Sequence, residues 1–245
     1  MTHPVVFNED NSNNPKIVNA LAKIQCAWKM YQVFRKFKIR KKKLITRKFV
    51  IEELIKTEID YKTHLELVIR EVLEYSLNNS ILTLTESEII FSNIREIEEL
   101  SGDLVSELKK ISENFDNKNT EVAKIFQNHF KTFEIYFIYC RNYKEMQVVM
   151  EKFIKKNHSF SQFLETIEHT SRLNKTDLFS FLIKPIQRLP KYVLLFKDLL
   201  KNTEPSHPDF YNIEIALKKW EHNIVGLIKD CIENEYAYLL SNNQK

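Results

Sequence analysis

Residues 177–210 read DLFSFLIKPIQRLPKYVLLFKDLLKNTEPSHPDF, and the spacing inside this stretch decides the fold class. Leu182, Ile183, Ile186, Leu189 and Val193 recur every three or four residues, with Lys184, Gln187, Arg188 and Lys191 between them at the same spacing. A period of 3.6 places the apolar set on one face of a helix and the polar set on the other. Pro185 and Pro190 fall inside the pattern and lack the N–H that a helix interior needs, so kinks are predicted there. Lys201 to Pro208 then reads as a loop before a long last helix ending near Leu240.

Towards the N-terminus the same period repeats. The 245 residues contain only two glycines, Gly102 and Gly226, and no proline between Pro15 and Pro185. Barrels, sandwiches and hairpins therefore lack their turn residues, and the chain reads as all-α. Neither a P-loop nor a dinucleotide-binding glycine fingerprint can be assembled, so no nucleotide or other cofactor is expected. Ile17, Leu21, Ile24, Trp28 and Tyr31 mark a basic amphipathic helix over 16–43, after a disordered lead-in over 1–15. Val50, Leu54, Tyr61, Leu65, Val68 and Val72 mark a second helix over 44–77, with no breaker between the two. Thr85 to Glu88 and Ser159 to Gln162 read as capping boxes that start further helices. Phe126, Phe130, Phe133, Tyr136, Tyr139 and Tyr143 mark a single aromatic central helix.

Cys26, Cys140 and Cys231 are scattered, odd in number and without metal-ligand spacing, which predicts a reduced, intracellular protein. The polar start, Met1 to Asn14, has no apolar core behind a basic cap, so no signal peptide is expected, and no run of about 18 apolar residues occurs in the sequence. Residues 1–48 hold 12 Lys and Arg against two acidic residues, whereas the rest holds 25 against 31. A net charge of +10 thus precedes a body of −6. The seven histidines form no metal motif and no nucleophile sits in an activating context, so neither catalytic nor metal-ligating residues are expected.

Two polar features remain to carry function. Glu58 falls where the stripe Val50, Leu54, Tyr61, Leu65 would continue, so a carboxylate lies on or beside a packing face. Its plainest reading is an edge residue paired with a nearby lysine. Lys184, Gln187, Arg188 and Lys191 form a cationic face that solvent alone could explain.

With their surroundings these residues resemble a known family. RKFVIEELIKTEIDYKTHL (Arg47 to Leu65), IIFSNIREIEELSGDLVSEL (Ile89 to Leu108) and Asp177 to Phe210 are similar, in order, to the three signature blocks of the Dbl-homology domain of Rho-family guanine nucleotide exchange factors. The resemblance implies an elongated all-α multi-helix bundle over 44–240, followed by a tail over 241–245. It also implies a GTPase-binding set, Glu58, Lys184, Gln187, Arg188, Lys191 and Ile228, in which Glu58 meets the first switch of a Rho-family small GTPase and Gln187 and Lys191 the second. Ile228 departs from the family at a position where many members carry asparagine. Such domains are usually followed by a pleckstrin-homology domain, and none follows here within residues up to Lys245.

The basic helix resembles an IQ motif through Ile24, Gln25, Trp28, Lys29 and Arg35, with Met30 where glycine is usual and Phe34 where arginine is usual. The resemblance implies calmodulin or an EF-hand light chain as a partner; an anionic membrane surface and packing back on the bundle suit the same features. Arg40 to Lys43 reads as a solvated helix end, and no nucleic-acid partner is expected because no stacking platform accompanies the charge. The expected function is nucleotide exchange on a Rho-family GTPase in the cytoplasm, at the inner face of the plasma membrane if recruited there. The rival is a catalytically silent helical scaffold.

Overall fold

The computed structural model describes residues 15–169, 173 and 176–222. The lead-in, the end of the last helix, the tail, Ile228, Gly226 and Cys231 lie outside them. Every regular element among the described residues is helical. The chain divides into two units between Thr46 and Arg47.

Helix α1 spans Pro15–Val68. The two predicted helices are thus one element, as the absence of a breaker allows, and Ile69–Glu74 continue it as a π-helical turn before α2, Tyr75–Asn78. From Val50 onward, Ile51, Leu54, Tyr61, Leu65 and Val68 are buried at helical spacing. The turn after α2 closes when the backbone N–H groups of Ile81 and Leu82 donate to the Ser76 carbonyl at 2.8 and 3.2 Å.

Helix α3, Leu84–Phe91, is capped by Thr83, which accepts from the Glu86 N–H while the Glu86 carboxylate accepts from the Thr83 N–H. The capping box therefore sits two residues before the predicted Thr85–Glu88 pair. Ser92, at φ 48°, turns the chain into α4, Ile94–Glu113, which buries Ile97, Leu100, Leu104 and Leu108. The second predicted box is replaced by a single cap, also two residues earlier. Asn157, not Ser159, accepts from the Phe160 N–H at 3.0 Å ahead of α7, His158–His169. The Asn157 side chain also donates to the Ile81 carbonyl at 3.2 Å.

The aromatic helix is broken. Helix α5 covers Ala123–Asn128, a 3₁₀ turn covers Thr132–Glu134, and α6 covers Ile135–Lys156. The break lets Phe126 and Phe133 converge on Trp220 at centroid distances of 5.4 and 5.7 Å, with Phe196 at 4.6 Å, in edge-to-face geometry. The predicted kink at Pro185 is a boundary: α8, Leu178–Leu182, ends at Ile183, and α9, Lys184–Asn202, begins with Pro185 in its first turn, where a missing N–H costs nothing. Pro190 lies inside α9. The last helix, α10, is described over 210–222.

Arg47, at the start of the second unit, is fully buried. It donates to Thr203 Oγ1 (3.3 Å) and to the Thr120 carbonyl (2.8 Å), and pairs with Asp209 at 3.7 Å. Asp209 in turn accepts from the N–H groups of Val122 and Ala123 at 2.8 and 3.2 Å. One buried ion pair thus clasps α1 to the start of α5 and to the segment before α10.

Candidate functional site

Glu58 comes four residues after Leu54 and three before Tyr61, so the helix carries it onto the buried stripe. It is 0% exposed, and Arg188, from α9, is 4% exposed. Glu58 Oε1 accepts from Ser101 Oγ of α4 at 2.7 Å, while Oε2 accepts from Tyr192 Oη at 2.6 Å and from Arg188 Nε at 3.0 Å. The second guanidinium nitrogen of Arg188 also donates to Oε2. Arg188 completes its bonding to Thr57 Oγ1 at 3.1 Å and stacks 4.4 Å from the Tyr192 ring centroid. Burial by itself would lower the Arg188 pKa; its contacts with Tyr192 and Glu58 outweigh this and hold it above its ordinary value. Burial raises the pKa of Tyr61, Tyr136 and Tyr192, which keeps them protonated donors.

This corrects the sequence reading on two residues. Glu58 is neither an edge residue nor lysine-paired, and Arg188 is not on a solvated face: both are interior partners that join α1 to α9. In this arrangement Glu58 offers no surface contact, and Arg188 reaches the surface only at the floor of a groove.

Above the pair lies an open groove of about 310 Å³ between α1 and α9, lined by Thr57, Asp60, Tyr61, His64 and by Lys184, Gln187, Arg188, Lys191. Gln187 and Lys191 are exposed, one turn apart, and Lys184 is half-buried beside them. The Lys184 Nζ sits 4.8 Å over the Phe181 ring, and burial lowers its pKa. His64 stands 5.8 Å from the same ring, and burial, then the charge of Lys184, lowers its pKa too. The groove therefore presents two ammonium groups and an amide against one exposed carboxylate, Asp60. That rim suits an electronegative, hydrogen-bonding partner surface. Sequence reasoning found the α9 wall and missed Asp60 and His64; their four-residue spacing, which sets them one turn apart beside Tyr61 on the same helix, was the available signal.

Ile228 lies outside the described residues. Ile24 and Trp28 are 65% and 59% exposed on α1, and Gln25, Lys29 and Arg35 are exposed as well. Among the described residues no cluster of His, Cys, Asp or Glu could hold a metal ion, and no helix is long and apolar enough to cross a membrane.

A family model described as the RhoGEF domain matches residues 50–224. The chain is 31% identical over 208 residues to guanine exchange factor for Rac 30 of Dictyostelium discoideum, covering 84% of this chain and 12% of that protein. It is 35% identical over 170 residues to Rho guanine nucleotide exchange factor 38 of Mus musculus, covering 66% and 22%. The chain thus spans less than a quarter of either relative. Among solved structures, the fold is similar to the complex of human RhoA with the DH/PH fragment of PDZRHOGEF, with TM-score 0.69, 20% identity, and 78% and 55% coverage. It is likewise similar to the activated truncation of Vav1, with TM-score 0.68, 21% identity, and 84% and 54% coverage.

Proposed function

This chain belongs to the RhoGEF domain family, and from that premise we propose that it is a guanine nucleotide exchange factor acting in the cytoplasm on a Rho-family small GTPase. The observation that carries the reading is the groove between α1 and α9, where Gln187 and Lys191 stand exposed side by side and face Asp60 and His64. Exchange needs no covalent chemistry. A surface that binds the nucleotide-free GTPase more tightly than the loaded form must, by reciprocity, weaken nucleotide binding to the same degree. Gln187 and Lys191 are the groups we assign to the second switch. Glu58 enters as a positioning residue that fixes Arg188 beneath the groove, and the α1 residues Asp60, exposed, and His64, half-buried, are assigned to the first-switch side. The exposed basic helix, carrying Ile24 and Trp28, is assigned to an EF-hand partner that regulates exchange.

The test is a nucleotide-release assay with a small panel of Rho-type GTPases. At least one should release GDP faster with the chain present. Lys191→Ala and Gln187→Ala should each slow that release about tenfold to a hundredfold, the loss of one or two charge-assisted or neutral hydrogen bonds, at unchanged melting temperature. If no GTPase is accelerated while nucleotide-free GTPase is still captured, the chain is a silent scaffold.

A further inference from the structure

The apolar residues of α1 before Thr46 do not lie on one face. Ile17, Leu21, Ile24, Trp28 and Tyr31 follow a 4-3-4-3 spacing along one side, and the rings of Trp28 and Tyr31 stack at 5.8 Å. Cys26, Met30, Val33 and Phe37 follow a 4-3-4 spacing of their own. At 3.6 residues per turn, this second stripe lies about 180° from the first, with its centre about 11 Å further along the axis. Members of both stripes are exposed, from 38% at Ile17 to 68% at Met30. No Asp or Glu occurs between Pro15 and Phe49, whereas seven of the nine residues from Arg35 to Lys43 are Lys or Arg and encircle the helix.

Any single flat surface covers one stripe and leaves the other in water. A bilayer surface suits a helix whose second face is polar, which this one lacks. A second copy of the same helix would bring cation against cation. Both stripes and the cationic collar are matched only by a partner that is acidic and approaches from two sides.

Building on the partner-binding reading of this helix, we propose that residues 17–37 dock an acidic, two-lobed protein whose apolar grooves close on opposite faces. One lobe covers the Ile24–Trp28 stripe, and the other covers the Met30–Phe37 stripe at a displaced level. Flexible, methionine-lined grooves with acidic rims have the chemistry to accept both.

Cys26 reports on the second stripe because it is a free, exposed thiol. The experiment uses the full chain with calmodulin as the probe, with and without Ca²⁺. Site-resolved alkylation of Cys26 is read by mass spectrometry beside calorimetric titration. The expected result is one calmodulin per chain, alkylation of Cys26 slowed at least tenfold, and affinity reduced at least tenfold by Trp28→Glu and, separately, by Phe37→Glu. Binding that is lost on Trp28→Glu but indifferent to Phe37→Glu, with Cys26 still reactive, overturns the two-sided clamp and leaves the one-faced IQ-like reading standing. No binding at all overturns both. Cys26 protected in the free chain, or protected by phosphatidylserine vesicles and not by calmodulin, overturns the acidic partner.

Discussion

Removing the Glu58 carboxylate strands the buried Arg188 guanidinium, Tyr192 Oη and Ser101 Oγ without their shared acceptor. Breaking one side of a buried pair costs about 3 to 5 kcal/mol, whereas replacing both sides with apolar groups of similar volume is often neutral. Glu58→Ala is therefore expected to lower unfolding free energy in urea by that amount, and Glu58→Leu combined with Arg188→Met to restore most of it. A stable Glu58→Ala protein with impaired exchange would return Glu58 to direct contact with the GTPase. The sequence exposed half of this: a carboxylate interrupting an apolar stripe is visible from spacing alone. Its partner, 130 residues away, is not, because spacing within one helix carries no information about which helix packs against it. Arg47 was hidden more completely, as one cation in a run of cations, although it is the one that is fully buried.

The helices themselves were legible where burial repeats with the helical period, and their ends less so. Both helices are capped two residues ahead of the predicted boxes because Thr83 and Asn157 stand where the chain is still extended, and only backbone geometry decides which of several Ser, Thr and Asn side chains meets a free N–H. Pro185 was read as a kink and proves to open a helix, since a proline in the first turn and one mid-helix look alike in sequence. Within α4, Gly102 has a negative φ, and an added Cβ would meet only the flexible Cε of Lys62, at 3.3 Å. Gly102→Ala should accordingly stabilise the protein by about 0.5 to 1 kcal/mol through the lower entropy of the unfolded chain, read as a rise in the urea midpoint. A fall in the midpoint would mean that Lys62, paired with Glu66 and Glu98, cannot give way.

At the scale of the whole molecule, the Arg47–Asp209 clasp links sites far apart in the chain, so its protonation touches global stability. Burial pushes the Asp209 carboxyl up to about 6, against the pull of the Ala123 and Val122 N–H groups and of Arg47. Because the folded state holds this proton more tightly than the unfolded chain, whose value is near 3.9, the contribution is present below about pH 4 and lost as pH rises through about 6. Two units correspond to about 3 kcal/mol. His207 acts oppositely: burial, then Arg47, lowers its pKa, so its contribution is lost as pH falls. Asp209→Asn removes the first effect and leaves the second. Urea unfolding between pH 4 and 7 should find the advantage of wild type over Asp209→Asn greatest at pH 4 and smaller by about 2 kcal/mol at pH 7, because the unfolded carboxyl is already half ionised at pH 4; a difference independent of pH would show that Asp209 does not titrate in this window. Periodicity and the scarcity of glycine and proline, by themselves, determined that the chain is helical, which residues recur as apolar stripes and that a basic segment precedes the body, because these are local properties of spacing and charge. That Glu58 and Arg188 form the interior floor of a groove, with Gln187, Lys191, Asp60 and His64 on its rim, was decided only by tertiary packing, because burial depends on which helix arrives from elsewhere in the chain to cover a face.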